Sequence, residues 1–204
     1  MTERVYAAEI GQHVGEQVRL AGWVHNLRLL GKVNFLVLRD ASGTCQLFLT
    51  KAEAAQLSGV LPESVLEVEG TVVAEPQAPG GVEVHGPRIR ILSLVAESLP
   101  FPINKPDIDA HPDTFLDYAP VGLRHPKRRA TFRLAAGLMA GFRDYLSRRR
   151  FVEVATPKIV ASATESGANV FAIDYFGRPA YLAQSPQFYK QIMVGVFERV
   201  FEVA

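Results

Sequence analysis

The chain has 204 residues, 48% of them hydrophobic and 21% charged, with a formal net charge of +1. That balance excludes collagen-like, coiled-coil and disordered chains, and near-neutrality argues against a protein whose main task is coating nucleic acid. The lone cysteine, Cys45, excludes an internal disulfide framework and fits a reducing compartment. No apolar run reaches the ~20 residues of a bilayer span, and the start Met1-Thr-Glu-Arg-Val-Tyr6 lacks a signal-peptide pattern, so the expected location is cytoplasmic with no membrane association.

Residues 1–95 read as short strands. Val18–Val24 alternates, Asn34–Arg39 is a compact apolar run, and Cys45–Leu49 follows the turn at Asp40-Ala-Ser-Gly43. Val65–Val73 alternates again, and Gly81–Val84 and Arg88–Leu92 complete the set. Five or so short strands with one helix, over 51–61, predict an all-β small barrel. Residues 96–126 hold six prolines, at 100, 102, 106, 112, 120 and 126, which predicts a semi-rigid linker.

From residue 127 the period changes. Phe132, Ala135, Ala136, Met139, Phe142 and Leu146 fall on one helical stripe, predicting a helix over 127–150 with that stripe buried. Residues 151–155 read as a strand that stops at Thr156-Pro157, and 170–173 and 180–183 as strands around a turn at Gly177. Ser185 is expected to cap a helix to about Val196, with Pro186 at its first position. Residues 197–203 read as a last strand whose ladder and apolar face lack partners, so the second domain, 127–204, is expected to be incomplete here and part of a longer chain.

Charge is uneven. Arg124 to Arg150 carries nine basic residues against Asp144 alone, a stretch that suits either a polyanion or a solvated helix face. In the barrel, Trp23, His25, Arg28, Phe35, Arg39 and Gln46 combine rings with base-reading polar groups, which suits unstacked bases; the other reading of Trp23 and Phe35 is plain core. Gln187 and Lys190 lie three apart near the start of the last predicted helix, where amide donors, an ammonium and the helix dipole favour a small carboxylate. Glu165, in the polar segment Thr164–Asn169, could grip an ammonium group from a mobile loop. No zinc spacing, phosphate-binding glycine loop or nucleophile elbow occurs.

The order of these segments resembles the aspartyl-tRNA synthetases, in the class II subclass shared with the asparaginyl and lysyl enzymes, and the resemblance covers the whole chain. Gly22-Trp-Val-His25, Phe35–Asp40 and Gly43-Thr-Cys-Gln46 resemble the anticodon-binding OB-fold barrel. Phe151–Ile159 resembles motif 1 with Pro157 as its proline, Thr164-Glu-Ser-Gly167 the flipping loop, and Phe197–Ala204 the opening strand of motif 2. Tyr181-Leu-Ala-Gln-Ser-Pro-Gln-Phe-Tyr-Lys-Gln191 is the most specific match.

The resemblance implies an OB-fold barrel followed by an α+β catalytic domain with an antiparallel sheet. It implies activation of L-aspartate with ATP and Mg2+ and transfer to tRNA(Asp). It assigns aspartate binding to Glu165, Ser185, Gln187, Phe188, Tyr189 and Lys190, and anticodon contacts to Arg28, Phe35 and Gln46. It also implies a homodimer whose interface includes residues from about Phe132 to Pro157. The wording of the motifs resembles the archaeal-type branch, some of whose members also charge tRNA(Asn). His25 and Pro79 fall on the two barrel positions that go with that permissiveness, and the other reading makes them ordinary turn-side residues. A permissive enzyme implies a tRNA-dependent amidotransferase as functional partner. The family's motif-2 arginine and motif 3 would fall beyond residue 204, so no catalytic or metal-binding residue is expected in this segment and the segment alone is expected to be inactive. The competing readings are a non-catalytic OB-fold tRNA-binding protein and the asparaginyl enzyme.

Overall fold

The computed structural model describes residues 3–31, 33–162 and 170–203. It divides the chain into two compact units, Met1–Lys127 and Arg128–Ala204. In the first, β1 (Gln17–Leu29), β2 (Asn34–Arg39), β3 (Thr44–Leu49), β4 (Val65–Ala74) and β5 (Val82–Ser93) close a barrel in the order β1-β2-β3-β5-β4. The strand alternation explains the closure. Val18, Leu20 and Val24 of β1, Leu36 and Leu38 of β2, Leu47 and Leu49 of β3, and Leu66, Val68 and Val72 of β4 all face one buried cluster. Cys45 belongs to it, and burial pushes its thiol up to about 12, so it behaves as a small hydrophobe. Gly22 is an inward position of β1 closely covered by β2: a Cβ there would lie 2.3 Å from the Arg39 carbonyl oxygen.

Two expectations change here. The two short strands read at 81–84 and 88–92 are one strand, β5, bent at Gly86 (φ 58°) and Pro87. Its ladder to β4 skips from Thr71–His85 to Glu69–Arg88. Gly70 makes the bulge feasible, since a Cβ there would sit 2.6 Å from a Val84 methyl. The helix between β3 and β4 is α1 (Lys51–Gln56), shorter than the predicted 51–61. Thr50 and Glu53 start it with a reciprocal capping box, and it stops at Leu57, two residues before the left-handed Gly59 (φ 79°).

The proline-rich segment 96–126 falls within the first unit. It carries α2 (Pro112–Asp117) and α3 (Ala119–Gly122), with proline in the first turn of each, where its missing N–H costs nothing. Phe101 and Ile103 are buried, Phe101 stacks on Phe115, and Asn104 donates to the His25 carbonyl oxygen. The segment is therefore packed, which proline counting alone does not reveal.

In the second unit α4 (Pro126–Arg148), which begins at the boundary, has the predicted helix but not the predicted burial. None of its residues is buried, and Phe132, Met139 and Phe142 of the stripe are exposed. The strands predicted at 151–155 and 197–203 shrink to β6 (Val152–Glu153) and β10 (Val200–Phe201), paired parallel. β7 (Ile159–Val160), β8 (Ala172–Tyr175) and β9 (Arg178–Leu182) form an antiparallel sheet in the order β7-β9-β8. Phe176 and Gly177 join β8 to β9 with φ of 52° and 74°, the left-handed pair of a tight hairpin turn. α5 (Gln187–Phe197) follows, and Phe201 of β10 meets Phe142 of α4 edge to face at 6.0 Å. No helix among the described residues is long and apolar enough to cross a membrane.

Candidate nucleic-acid and amino-acid sites

The barrel gathers Arg28, Phe35 and Gln46 on one face. Arg28 pairs with Phe35 across β1 and β2, Phe35 with Phe48, and Val37 with Gln46, across β2 and β3. The Phe35 and Phe48 rings meet edge to face at 6.1 Å, and His85 of β5 stacks on Phe48 at 5.2 Å. The Gln46 amide donates to Glu83 Oε2 at 2.9 Å, and the other oxygen of that buried carboxylate meets His85 Nε2 at 2.7 Å. Holding one amide hydrogen fixes Gln46 and leaves its oxygen and second hydrogen for a base edge. The half-buried rings beside it present apolar faces on which bases can stack. Sequence reasoning missed Phe48, Glu83 and His85, although the alternation Cys45–Leu49 already put Phe48 on the same strand face as Gln46.

His25 and Pro79 are not brought together. His25 lies beyond the Trp23–Val65 pair at the start of β4, whereas Pro79 follows the end of that strand at Ala74, beside the Glu83 end of β5. His25 instead joins a second cluster. Its Nδ1 lies 3.1 Å from the buried Arg39 guanidinium, which pairs with Glu63 at 2.8 Å, as does Arg124. Burial, then the Arg39 charge, holds the His25 imidazole below its ordinary value, which keeps it neutral at pH 7. Trp23 lies against the Arg39 and Arg124 guanidinium groups, with its ring centre 5.6 and 5.0 Å from them. Of the two readings of Trp23, this geometry supports a structural one.

In the second unit, Ser185, Pro186, Gln187, Lys190, Gln191 and Val194 line an open cleft of about 470 Å³ at the start of α5. The helix starts one residue later than expected. Pro186 sits at the cap position, while the Ser185 hydroxyl accepts from the Gln187 N–H at 3.3 Å. The N–H of Lys190 makes the first helical bond, to the Pro186 carbonyl oxygen, which sets its side chain over the opening turn. Its ammonium lies 3.5 Å from Glu202 Oε2. Glu202, just past β10, is nearly enclosed. It accepts from Lys158 at 2.6 Å and from the Thr156 N–H and hydroxyl at 2.9 Å each. The Lys158 bond, then the Thr156 backbone bond, draw its carboxyl down to about 2. Phe188 and Tyr189 are exposed and do not line the cleft. Glu165 lies outside the described residues, and Pro157 is exposed in the segment between β6 and β7. The cleft can hold an anion against Lys190, and Glu202 is the residue the sequence did not mark.

Known families match both parts of the chain. The family described as OB-fold nucleic acid binding domain matches residues 18–92, and tRNA synthetases class II (D, K and N) matches residues 111–204. The chain is 50% identical over 202 residues to an aspartate–tRNA(Asp/Asn) ligase of Deinococcus radiodurans, covering 99% of this chain and 45% of that protein. A protein of the same name from Thermus thermophilus is 48% identical, with 98% and 46% covered. Among solved structures, asparaginyl-tRNA synthetase from Pyrococcus horikoshii complexed with asparaginyl-adenylate superposes with a TM-score of 0.88 at 34% identity, over 100% of this chain and 48% of that one. The chain thus spans slightly less than half the length of the curated relatives it matches.

Proposed function

Because this chain belongs to the class II aminoacyl-tRNA synthetases of the aspartyl, asparaginyl and lysyl group, we propose that it is the N-terminal part of an aspartate–tRNA ligase. Its barrel binds the anticodon loop, and the cleft at α5 holds the side chain of L-aspartate. The observation that carries the amino-acid assignment is Lys190, which lines the cleft together with Ser185 and Gln187. Asparagine offers no charge to that ammonium, so burying it against the neutral amide leaves the cation poorly compensated.

The reaction in this reading joins aspartate to the α-phosphorus of ATP, releases pyrophosphate, and passes the aspartyl group to the tRNA 3′ end. The solved neighbour with a bound adenylate supports adenylate chemistry in this fold. Mg2+ in such enzymes neutralises phosphate charge. Among the described residues no three His, Cys, Asp or Glu side chains are placed to hold a metal ion. What they contribute is positioning: Ser185 and Gln187 shape the cleft, and Lys190 fixes the substrate carboxylate.

Phe35 and Phe48 stack anticodon bases and Gln46, fixed by Glu83, reads one of them. The names of the relatives support charging of both tRNA(Asp) and tRNA(Asn). Pro79, next to the base-reading face, lacks the hydrogen-bonding capacity to enforce a single third base. Such an enzyme needs a tRNA-dependent amidotransferase downstream to correct aspartyl-tRNA(Asn). The exposed stripe of α4, with Pro157, is the proposed contact between two copies in a homodimer in the cytoplasm.

Pyrophosphate exchange by the full-length enzyme tests the amino-acid assignment. Aspartate should support exchange and asparagine and lysine should not, and exchange with asparagine instead would assign the chain to the asparaginyl enzymes. Aspartylation of purified tRNA(Asp) and tRNA(Asn) tests the permissive reading, and failure to charge tRNA(Asn) would end it.

A further inference from the structure

Lys190 does not stand alone in the cleft. The Glu202 carboxylate beside it would cancel its charge if the two formed an isolated pair, and a substrate carboxylate would then meet a neutral site with a like charge nearby. A third charge prevents this. Lys158, just before β7, holds Glu202 Oε1 at 2.6 Å, the oxygen that also accepts from the Thr156 N–H and hydroxyl at 2.9 Å each, while the hydroxyl reaches Oε2 as well, at 3.1 Å. Lys190 lies 3.5 Å from Oε2, longer than a direct charge-assisted hydrogen bond. Glu202 has 5% of its side chain exposed, whereas Lys190 has 37% and is among the residues that line the cleft. Two ammonium groups and one carboxylate leave the cluster with a single positive charge, the complement of one side-chain carboxylate.

We propose that Lys158 is a specificity-determining positioning residue: by holding Glu202 it frees the charge of Lys190 for the side-chain carboxylate of a dicarboxylic amino acid. Lys158 does not touch the substrate. Glu202 serves as the anchor that spaces the two ammonium groups, with Thr156 fixing its orientation. The proposal rests on the reading of the chain as part of an aspartate-activating enzyme.

The test is aspartate-dependent pyrophosphate exchange by the full-length enzyme, with KM and kcat measured separately. The wild-type enzyme must first exchange with aspartate; if it does not, the underlying reading falls and this proposal with it. Given an active wild type, Lys158→Met should raise the KM for aspartate about tenfold or more with a much smaller change in kcat, because a net charge next to the bound carboxylate is lost. Lys158→Arg should restore it. The decisive variant is the double substitution Lys158→Met with Glu202→Gln, which returns the cluster to one positive charge. It should recover much of the lost aspartate affinity, a result that a purely structural role for Lys158 does not produce. Thermal unfolding of each variant identifies any that do not fold, and Lys158→Arg and the double variant keep the test open if Lys158→Met is among them. An unchanged KM in Lys158→Met, or a double variant no better than the single one, would overturn the proposal.

Discussion

In the barrel, Leu36, Leu47 and Leu66 are fully buried. In the second unit, Leu134, Leu138 and Phe188 stand 68%, 75% and 73% exposed. Both units are built from sequences with clear apolar periodicity, so the difference lies in topology. Every barrel strand has a neighbour on each side, and the inward positions of five strands converge on one cluster. The second unit has sheets of two and three short strands among the described residues, and α4 lies with no buried face. A stripe in a sequence specifies that a face is apolar. What covers it is decided by other elements, and in the second unit the proposed second copy of the chain is one such cover.

The largest effect that would sharpen this contrast is at the polar centre of the first unit. Arg39 and Glu63 have 1% and 3% of their side chains exposed. Glu63→Ala leaves the Arg39 guanidinium buried with its carboxylate gone and should cost about 3–5 kcal/mol. Trp23 is the sole tryptophan and lies against Arg39, so its fluorescence during urea unfolding reports on this cluster. A loss below about 1 kcal/mol would mean the pair is hydrated in solution. Next comes Leu47→Ala, in the fully buried cluster, expected to cost about 2–5 kcal/mol by the same assay.

A pH series probes the second unit. The folded-state pKa of Glu202 lies below its ordinary value of 4.5, at about 2. A depressed carboxylate contributes stability that is fully present above its unfolded value and is lost as pH falls through the folded one. The stability difference between the wild-type chain and Glu202→Gln should therefore be constant above about pH 5 and shrink between there and pH 2. A difference that does not change over that window would mean Glu202 is not ion-paired. The smallest expected effect is that of Leu138→Ala, within about 0.5 kcal/mol of wild type in the isolated chain. A cost above about 1 kcal/mol would break the comparison, because it would show this face covered in solution.

Much of the barrel was legible. A compact apolar run and the turn signal at Asp40-Ala-Ser-Gly43 placed β2 and β3 within a residue of their observed bounds, because turn residues bound a short apolar strand on both sides. Gly86-Pro87 misled because both residues commonly end strands, and here a bulge opposite Gly70 carries the ladder past them. Of the sites, Arg28, Phe35 and Gln46 do share a face, as strand parity requires. Glu83 joins Gln46 from 37 residues away, and Glu202 joins Lys158 from 44. No local pattern encodes such pairings; they arise when strands distant in sequence become neighbours. Pro186 at the cap and Ser185 one step outside differ from expectation by a single residue, within the usual uncertainty of a helix boundary.

The central claim is that the Lys190 ammonium, set over the opening turn of α5, selects a substrate that carries a side-chain carboxylate. The most direct measurement is aspartate-dependent pyrophosphate exchange by the full-length enzyme with Lys190→Met, alongside a thermal melt. The account predicts exchange reduced by at least about a hundredfold, the cost of an unanswered charge in the site, with the melting temperature nearly unchanged. Exchange at the wild-type rate in a folded Lys190→Met enzyme would contradict it.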